Sequence, residues 1–299
     1  MSELCGILPA LVTPVDADRV FQPRPYERLL ERVYAAGVDG VYVCGQTGEG
    51  LQLPSAERQR AAECALRNSP RGKRVIVHVG AASTGEAIAL ARHAARSGAH
   101  ALSSLPPAGA YSFEEVREYY REVAAASDLP FLVYYFPALA PAIRTTEQVL
   151  SLCQLPHVAG LKFTHSDFFG LWTLRRSGAV VFNGYDEMLI AGLIMGASGG
   201  VGGTYNVIPG SIVELYRLAQ EGRWEEGRRV QDRINEFVSV VLSYPLVSAL
   251  KTILGWQGID CGMGVPPRRD LTPEEKAGLR ASLARTELGA VILEAAVQA

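Results

Sequence analysis

Apolar positions along the chain follow two rhythms that take turns. Short, nearly continuous apolar runs stand at residues 6–12, 40–44, 74–79, 99–105, 131–135, 158–163, 179–183 and 199–202, and each reads as a strand. Between them lie segments whose apolar residues recur three and four apart, and these read as helices: 24–36, 55–68, 84–97, 113–126, 145–153, 168–176, 186–195 and 209–221. Punctuation agrees with the periods. Gly37 and Gly98 follow helical stretches as stop signals, Ser55 opens an Ala-rich run, and Ser83-Thr84-Gly85-Glu86 has the spacing of a capping box.

Eight strand-helix units with apolar strands describe a parallel sheet covered by helices, most economically closed as a (β/α)8 barrel. An open doubly wound sheet is the competing architecture. The segment Gly199-Gly200-Val201-Gly202-Gly203 does not have the G-x-G-x-x-G spacing of a dinucleotide loop, and it falls after seven units rather than in the first. Beyond the eighth unit, residues 224–243, 246–256 and 272–284 read as further helices, and no element is predicted past 284. The expected organisation is an α/β (β/α)8 TIM barrel over residues 1–222, with a C-terminal helical extension over 223–299 packed on it.

Composition narrows the partners. With 48% hydrophobic and 20% charged residues the 299-residue chain can bury a large core, and a formal charge of −2 supplies no basic footprint for nucleic acid or an anionic membrane. Residues 188–213 form an uncharged run, but its glycines and Pro209 argue against a membrane span. The N-terminal residues lack a basic segment before an apolar stretch, so no signal peptide is expected. Five scattered cysteines without C-x-x-C spacing do not form a disulfide framework, and a reducing cytoplasm is the expected compartment. The five histidines show no metal-ligand spacing, so no metal is expected.

In a closed barrel the C-terminal strand tips converge, so candidate chemistry is sought there. Only four of the 29 basic Lys and Arg residues are lysines. Lys73 follows a turn, Lys276 sits in a charged segment, and Lys251 falls on a helix that can expose it. Lys162 differs: alternation puts Val158, Gly160, Lys162 and Thr164 on one strand face and Ala159, Leu161 and Phe163 on the other. If the apolar face meets the helices, Lys162 points into the barrel. Burying an ammonium is costly unless it is paired or neutralised, so this lysine reads as a nucleophile toward a carbonyl. The plainer alternative is a lysine at a strand end that reaches solvent or pairs with a carboxylate.

Three more tips qualify. Gly45-Gln46-Thr47-Gly48-Glu49 lets backbone N–H groups and a hydroxyl approach a small carboxylate, although Gly-rich turns end many strands. Tyr134, at the end of Phe131-Leu132-Val133-Tyr134-Tyr135, offers a phenol that can relay a proton or simply pack. Asp186 and Glu187 can bind hydroxyls, or Asp186 can cap the next helix.

Taken in order, Gly45-Gln46-Thr47-Gly48-Glu49, Tyr134-Tyr135-Phe136-Pro137-Ala138-Leu139, Gly160-Leu161-Lys162, Asn183-Gly184-Tyr185-Asp186-Glu187 and Gly202-Gly203-Thr204-Tyr205-Asn206 resemble the pyruvate-dependent class I aldolases. This is the family of N-acetylneuraminate lyase and dihydrodipicolinate synthase, and the resemblance covers nearly the whole chain. Pro-Ala-Leu after the tyrosine, Gly-Tyr-Asp-Glu and Gly-Thr-Tyr-Asn are similar to the N-acetylneuraminate lyase branch. Leu139 stands where dihydrodipicolinate synthases usually carry an arginine, which argues against that activity.

The resemblance implies a cofactor-free lyase. Lys162 would form a Schiff base with a 2-oxo acid, and Tyr134 would shuttle the proton of the C4 hydroxyl. Thr47, with Gln46 beside it, would hold the carboxylate, and Thr164, Gly184, Asp186, Glu187 and Gly203 would line the sugar-tail pocket. The products would be pyruvate and an aldehyde sugar, and the assembly a homotetramer. Three positions depart from the pattern: Gln46 replaces the usual Ser or Thr, Gly203 replaces a serine, and Pro107-Ala108-Gly109-Ala110-Tyr111 replaces a Tyr-Tyr pair, with Tyr111 as the candidate substitute. They leave open a dehydratase or aldolase on another 2-oxo acid, and a catalytically silent oxo-acid-binding homologue.

Overall fold

Eight parallel strands organise the chain in a computed structural model, which describes the backbone of residues 4–298 and the side chains of residues 4–294. They are β1 (Gly6–Pro9), β2 (Gly40–Val43), β3 (Arg74–His78), β4 (Ala101–Ser104), β5 (Phe131–Tyr135), β6 (Val158–Phe163), β7 (Val180–Asn183) and β8 (Gly199–Gly202). Pairing runs β1-β8-β7-β6-β5-β4-β3-β2, and the β1–β2 seam is closed by an isolated parallel bridge between Ala10 and Tyr42. This is the expected TIM barrel rather than an open sheet. β1 ends sooner than its apolar run because the chain changes partner there: Ala10 N–H donates to Gly202 O on β8, and Leu11 N–H to Tyr42 O on β2.

The strands are connected by α1 (Pro23–Ala35), α2 (Ser55–Asn68), α3 (Thr84–Arg96), α4 (Phe113–Ala124), α5 (Thr146–Cys153), α6 (Phe168–Arg176) and α7 (Leu189–Ile194), and α8 (Pro209–Gln220) follows β8. Alternation divides the apolar side chains as the sequence implies. Val41 and Val43, Val75 and Val77, and Leu161 and Phe163 join the mantle between strands and helices. Leu8, Tyr42, Ile76, Leu132, Tyr134, Phe182 and Val201 fill the barrel lumen.

Four helices follow, α9 (Trp224–Val241), α10 (Leu246–Trp256), α11 (Pro273–Leu283) and α12 (Glu287–Gln298). The fourth is unpredicted: Gly289 interrupts a short apolar run, and the helix is set by tertiary packing, with Ile292 and Leu293 buried in the main core. Among the described residues no single helix is long and apolar enough to cross a membrane. α9 and α10 pass only as a pair bent by 108°, and their apolar faces lie in the core.

Two local expectations change. Pro54, not Ser55, caps α2, and the Ser55 hydroxyl donates to Glu86 Oε1. That contact occupies the Glu86 carboxylate, so the capping box at α3 is half made: Ser83 Oγ accepts from Glu86 N–H at 3.3 Å, without the reciprocal bond.

Candidate active site

Register places the two leading residues side by side. Tyr134 on β5 and Lys162 on β6 are paired Cα partners, so both side chains enter the lumen at the same level. Lys162 is only 4% exposed, and among the described residues no carboxylate lies within ion-pairing distance of it. Neither plainer alternative, snorkelling or pairing, applies. Its Nζ instead lies 4.2 Å from the Tyr134 ring centroid and 5.2 Å from that of Tyr42, within cation–π range of both.

Two walls of this chamber were not singled out from sequence. Tyr42 and His78 occupy inward positions of β2 and β3, and they pack edgewise on Tyr134 with ring centroids 6.3 and 6.2 Å away. The Tyr42 hydroxyl donates to Ser103 Oγ at 2.9 Å. His78 Nε2 accepts from Leu105 N–H at 3.0 Å, and burial, aided by the charges of Arg58 and Lys162, pushes its pKa well below the ordinary histidine value. A neutral ring thus faces the lysine. Following the inward-facing positions of β2 back from its Gly-rich tip, and extending the search to the tip of β3, would have found both.

The remaining candidates gather at the same mouth. Thr47 is nearly buried and lies against Gly203, where an added Cβ would sit 3.2 Å from Thr47 Oγ1. Thr164 and Gly184 are in direct apposition: a Cβ on Gly184 would fall 2.0 Å from Thr164 Oγ1, so only glycine fits while that rotamer is kept. Thr164 Oγ1 and Gln46 Oε1 are both buried without a hydrogen-bond partner, unusual for polar groups unless a ligand engages them. Phe136 stacks on Tyr134 at 6.4 Å and meets Tyr185 edge-on, forming one aromatic side of the opening. Leu139 packs against the lumen cluster, an apolar contact where an arginine would bring charge. Tyr111 is 40% exposed and makes no ring contact with Tyr134 among the described residues.

Asp186 does not cap α7. Its Oδ2 accepts from Thr204 N–H at 2.7 Å and Thr204 Oγ1–H at 2.5 Å, tying the tip of β7 to that of β8. Burial pushes its pKa up to about 6, against the opposing pull of the two Thr204 bonds and of Lys162. Gln231 of α9 supports the same turn, donating to Asp186 O at 3.1 Å and accepting from Ile190 N–H at 2.9 Å. Glu187 is partly exposed beside it.

Lys251 corrects the sequence reading. It is 4% exposed rather than on a solvent face, because α10 turns it inward to Glu49 Oε2 at 2.7 Å and Met263 O at 2.6 Å. No local signal marks this pairing, since the acid comes from the tip of β2.

A parallel barrel with a buried, unpaired lysine between aromatic rings at the carboxyl ends of its strands defines a site suited to covalent capture of a carbonyl. The chain belongs to the dihydrodipicolinate synthetase family, whose profile matches residues 3–286. It is 36% identical over 286 residues to the N-acetylneuraminate lyase of Rhizobium meliloti (strain 1021), covering 94% of this chain and 95% of that one. Among solved structures it resembles CdNal of Clostridium difficile in complex with mannosamine, with a TM-score of 0.89, 26% identity and coverage of 98% and 99%. A catalytic lysine mutant of Ruminococcus gnavus sialic acid aldolase superimposes with a TM-score of 0.90 at 25% identity, covering 100% of this chain and 99% of that one.

Proposed function

We propose that the protein is a cofactor-independent class I aldolase that cleaves a 2-oxo-3-deoxy sugar acid, N-acetylneuraminate first among them, into pyruvate and an aldehyde sugar. The observation that carries this reading is Lys162: 4% exposed, without a carboxylate partner among the described residues, and set against the Tyr134 ring. Lys162 Nζ attacks the C2 ketone, water departs, and an iminium forms. The C3–C4 bonding electrons then flow into the iminium as the C4 hydroxyl loses its proton, releasing the aldehyde and leaving an enamine. Protonation at C3 and hydrolysis return pyruvate and the free lysine.

Tyr134 is assigned the proton of the C4 hydroxyl, a role supported by its register with Lys162. The carboxylate is assigned to Thr47, Gln46 and the neighbouring backbone N–H groups. The hydroxylated tail is assigned to Thr164, Gly184, Asp186, Glu187 and Gly203, supported by the unpartnered Thr164 hydroxyl and the space Gly203 leaves at Thr47. Residues 1–222 are assigned to the barrel and 223–299 to a C-terminal helical extension packed on it; the working assembly is a homotetramer in the cytoplasm, without nucleic-acid or membrane partners.

A second reading is favoured by Gln46 and Gly203: an aldolase or dehydratase for a different 2-oxo acid, with the Gln46 amide in place of a small hydroxyl. Pyruvate release measured across a panel of sugar acids decides between them. N-acetylneuraminate turned over far faster than the others, with loss of turnover in Lys162→Ala, supports the first reading. Faster turnover of another acid supports the second, and no turnover of any acid by the native enzyme contradicts both.

A further inference from the structure

The loop at the tip of β2, residues 44–50, carries Gln46 and Thr47, and it is clamped from two sides. On the barrel side Thr13 Oγ1 donates to Gly48 O at 2.7 Å, and a Cβ on Gly48 would lie 2.7 Å from Leu11 O, so the backbone is pressed onto the chain leaving β1. On the other side the contact is made by the C-terminal extension. Glu49 takes a left-handed backbone conformation, φ 54°, that turns its side chain away from the barrel, and it is fully buried. Its Oε1 accepts from Val265 N–H at 2.7 Å, and its Oε2 pairs with Lys251 Nζ at 2.7 Å. Lys251 is anchored in turn on Met263 O at 2.6 Å. Arg268 completes the clamp, its Nη2 donating to Gln46 O at 3.3 Å and its Nε standing 3.7 Å from Glu49 Oε1.

A buried carboxylate met by a buried ammonium is an expensive way to close a loop, since apolar packing of the same volume would be at least as stable. What the arrangement supplies is position: the Val265 N–H hydrogen bond to Oε1 and the Lys251 ion pair at Oε2 fix one residue and, through the short backbone segment before it, its neighbours. We infer that Glu49 and Lys251, with Arg268, are positioning residues for the oxo-acid carboxylate: they hold Gln46 and Thr47 in binding geometry, so the C-terminal extension sets the enzyme's selectivity for a carbonyl compound that bears a carboxylate. This rests on the assignment of Lys162 and of the 44–50 loop made above.

The test compares two carbonyl probes, pyruvate and acetone, in borohydride trapping on Lys162, with initial trapping rates read by mass spectrometry. Acetone offers the same ketone to the lysine but nothing to the loop. The double variant Glu49→Gln/Lys251→Met removes both fully buried charges together and leaves only the partly exposed Arg268 guanidinium without its carboxylate, and Arg268→Ala leaves the buried pair intact should the double variant fail to fold. The pyruvate-to-acetone rate ratio is expected to fall about tenfold in the double variant, the worth of one charge-assisted contact. It falls less in Arg268→Ala and returns toward the native value in Lys251→Arg, with the acetone rate unchanged throughout. A ratio equal to the native one in folded variants overturns the inference, as does a parallel loss of both rates, which marks general damage. Absence of any adduct on Lys162 in the native enzyme is a separate result: it removes the lysine reading and the inference with it.

Discussion

Lys162 and Lys251 are both 4% exposed, yet their surroundings are opposites. Lys251 has a carboxylate at 2.7 Å and donates to a carbonyl at 2.6 Å, so its charge is compensated and its ammonium is anchored. Lys162 has aromatic faces at 4.2 and 5.2 Å and no ion pair among the described residues, so its amine is surrounded but not engaged. Burial alone therefore does not make a nucleophile. The partner decides: one lysine is part of the framework, and the other is left to react.

The same substitution at both positions breaks this contrast most sharply. Lys162→Met is expected to lower turnover by more than about 10⁴-fold, as loss of a covalent nucleophile does, while leaving the melting temperature within a few degrees of native. A variant keeping a tenth of native turnover contradicts the assignment. Tyr134→Phe comes next, with a loss of about 10²-fold to 10⁴-fold in turnover for a proton-transfer group. Borohydride trapping on Lys162 should survive it; if turnover is unchanged, the phenol serves packing only. Lys251→Met strands the Glu49 carboxylate in the core and is expected to cost about 3–5 kcal/mol of stability, a lowering of the melting temperature by about 5–8 °C in a chain of this length. An unchanged melting curve contradicts the framework role.

The smallest effect concerns pH. Asp186 is raised from 3.8 to about 6 by burial, so the folded state holds its proton more tightly than the unfolded chain. Nothing is lost below the unfolded value. A penalty grows as pH rises between the two and is complete above the folded one. Asp186→Asn keeps an acceptor for both Thr204 donors without ionising. Its stability relative to native should match near pH 4 and exceed it by up to about 3 kcal/mol at pH 7, each tenfold change in proton affinity being worth about 1.4 kcal/mol. A difference independent of pH contradicts the raised pKa.

The barrel was largely legible because parallel strands, covered on both sides, are written as apolar runs. β5, β6 and β8 occupy the predicted residues at both ends. The candidate site was legible where chemistry and strand tips coincide: an inward lysine on β6, a tyrosine in register with it, and the Gly-rich turns at Thr47 and Gly184. What escaped lies in long-range partners. Lys251 looked like a surface residue because its acid belongs to the β2 tip loop, and no helical period reports a contact across the whole chain. Tyr42 and His78 are marked in the sequence only by inward positions on their strands, and closure of the sheet is what brings them beside Tyr134 and, for Tyr42, Lys162. α12 escaped for the same reason, its helical state being decided by packing against the core.

Borohydride reduction of the native enzyme in the presence of pyruvate, followed by peptide mass mapping, sets the two buried lysines directly against each other. The adduct is predicted on the peptide containing Lys162 and not on that containing Lys251. Labelling of Lys251 with Lys162 unmodified, or no adduct on either, would contradict the assignment of Lys162 as the nucleophile.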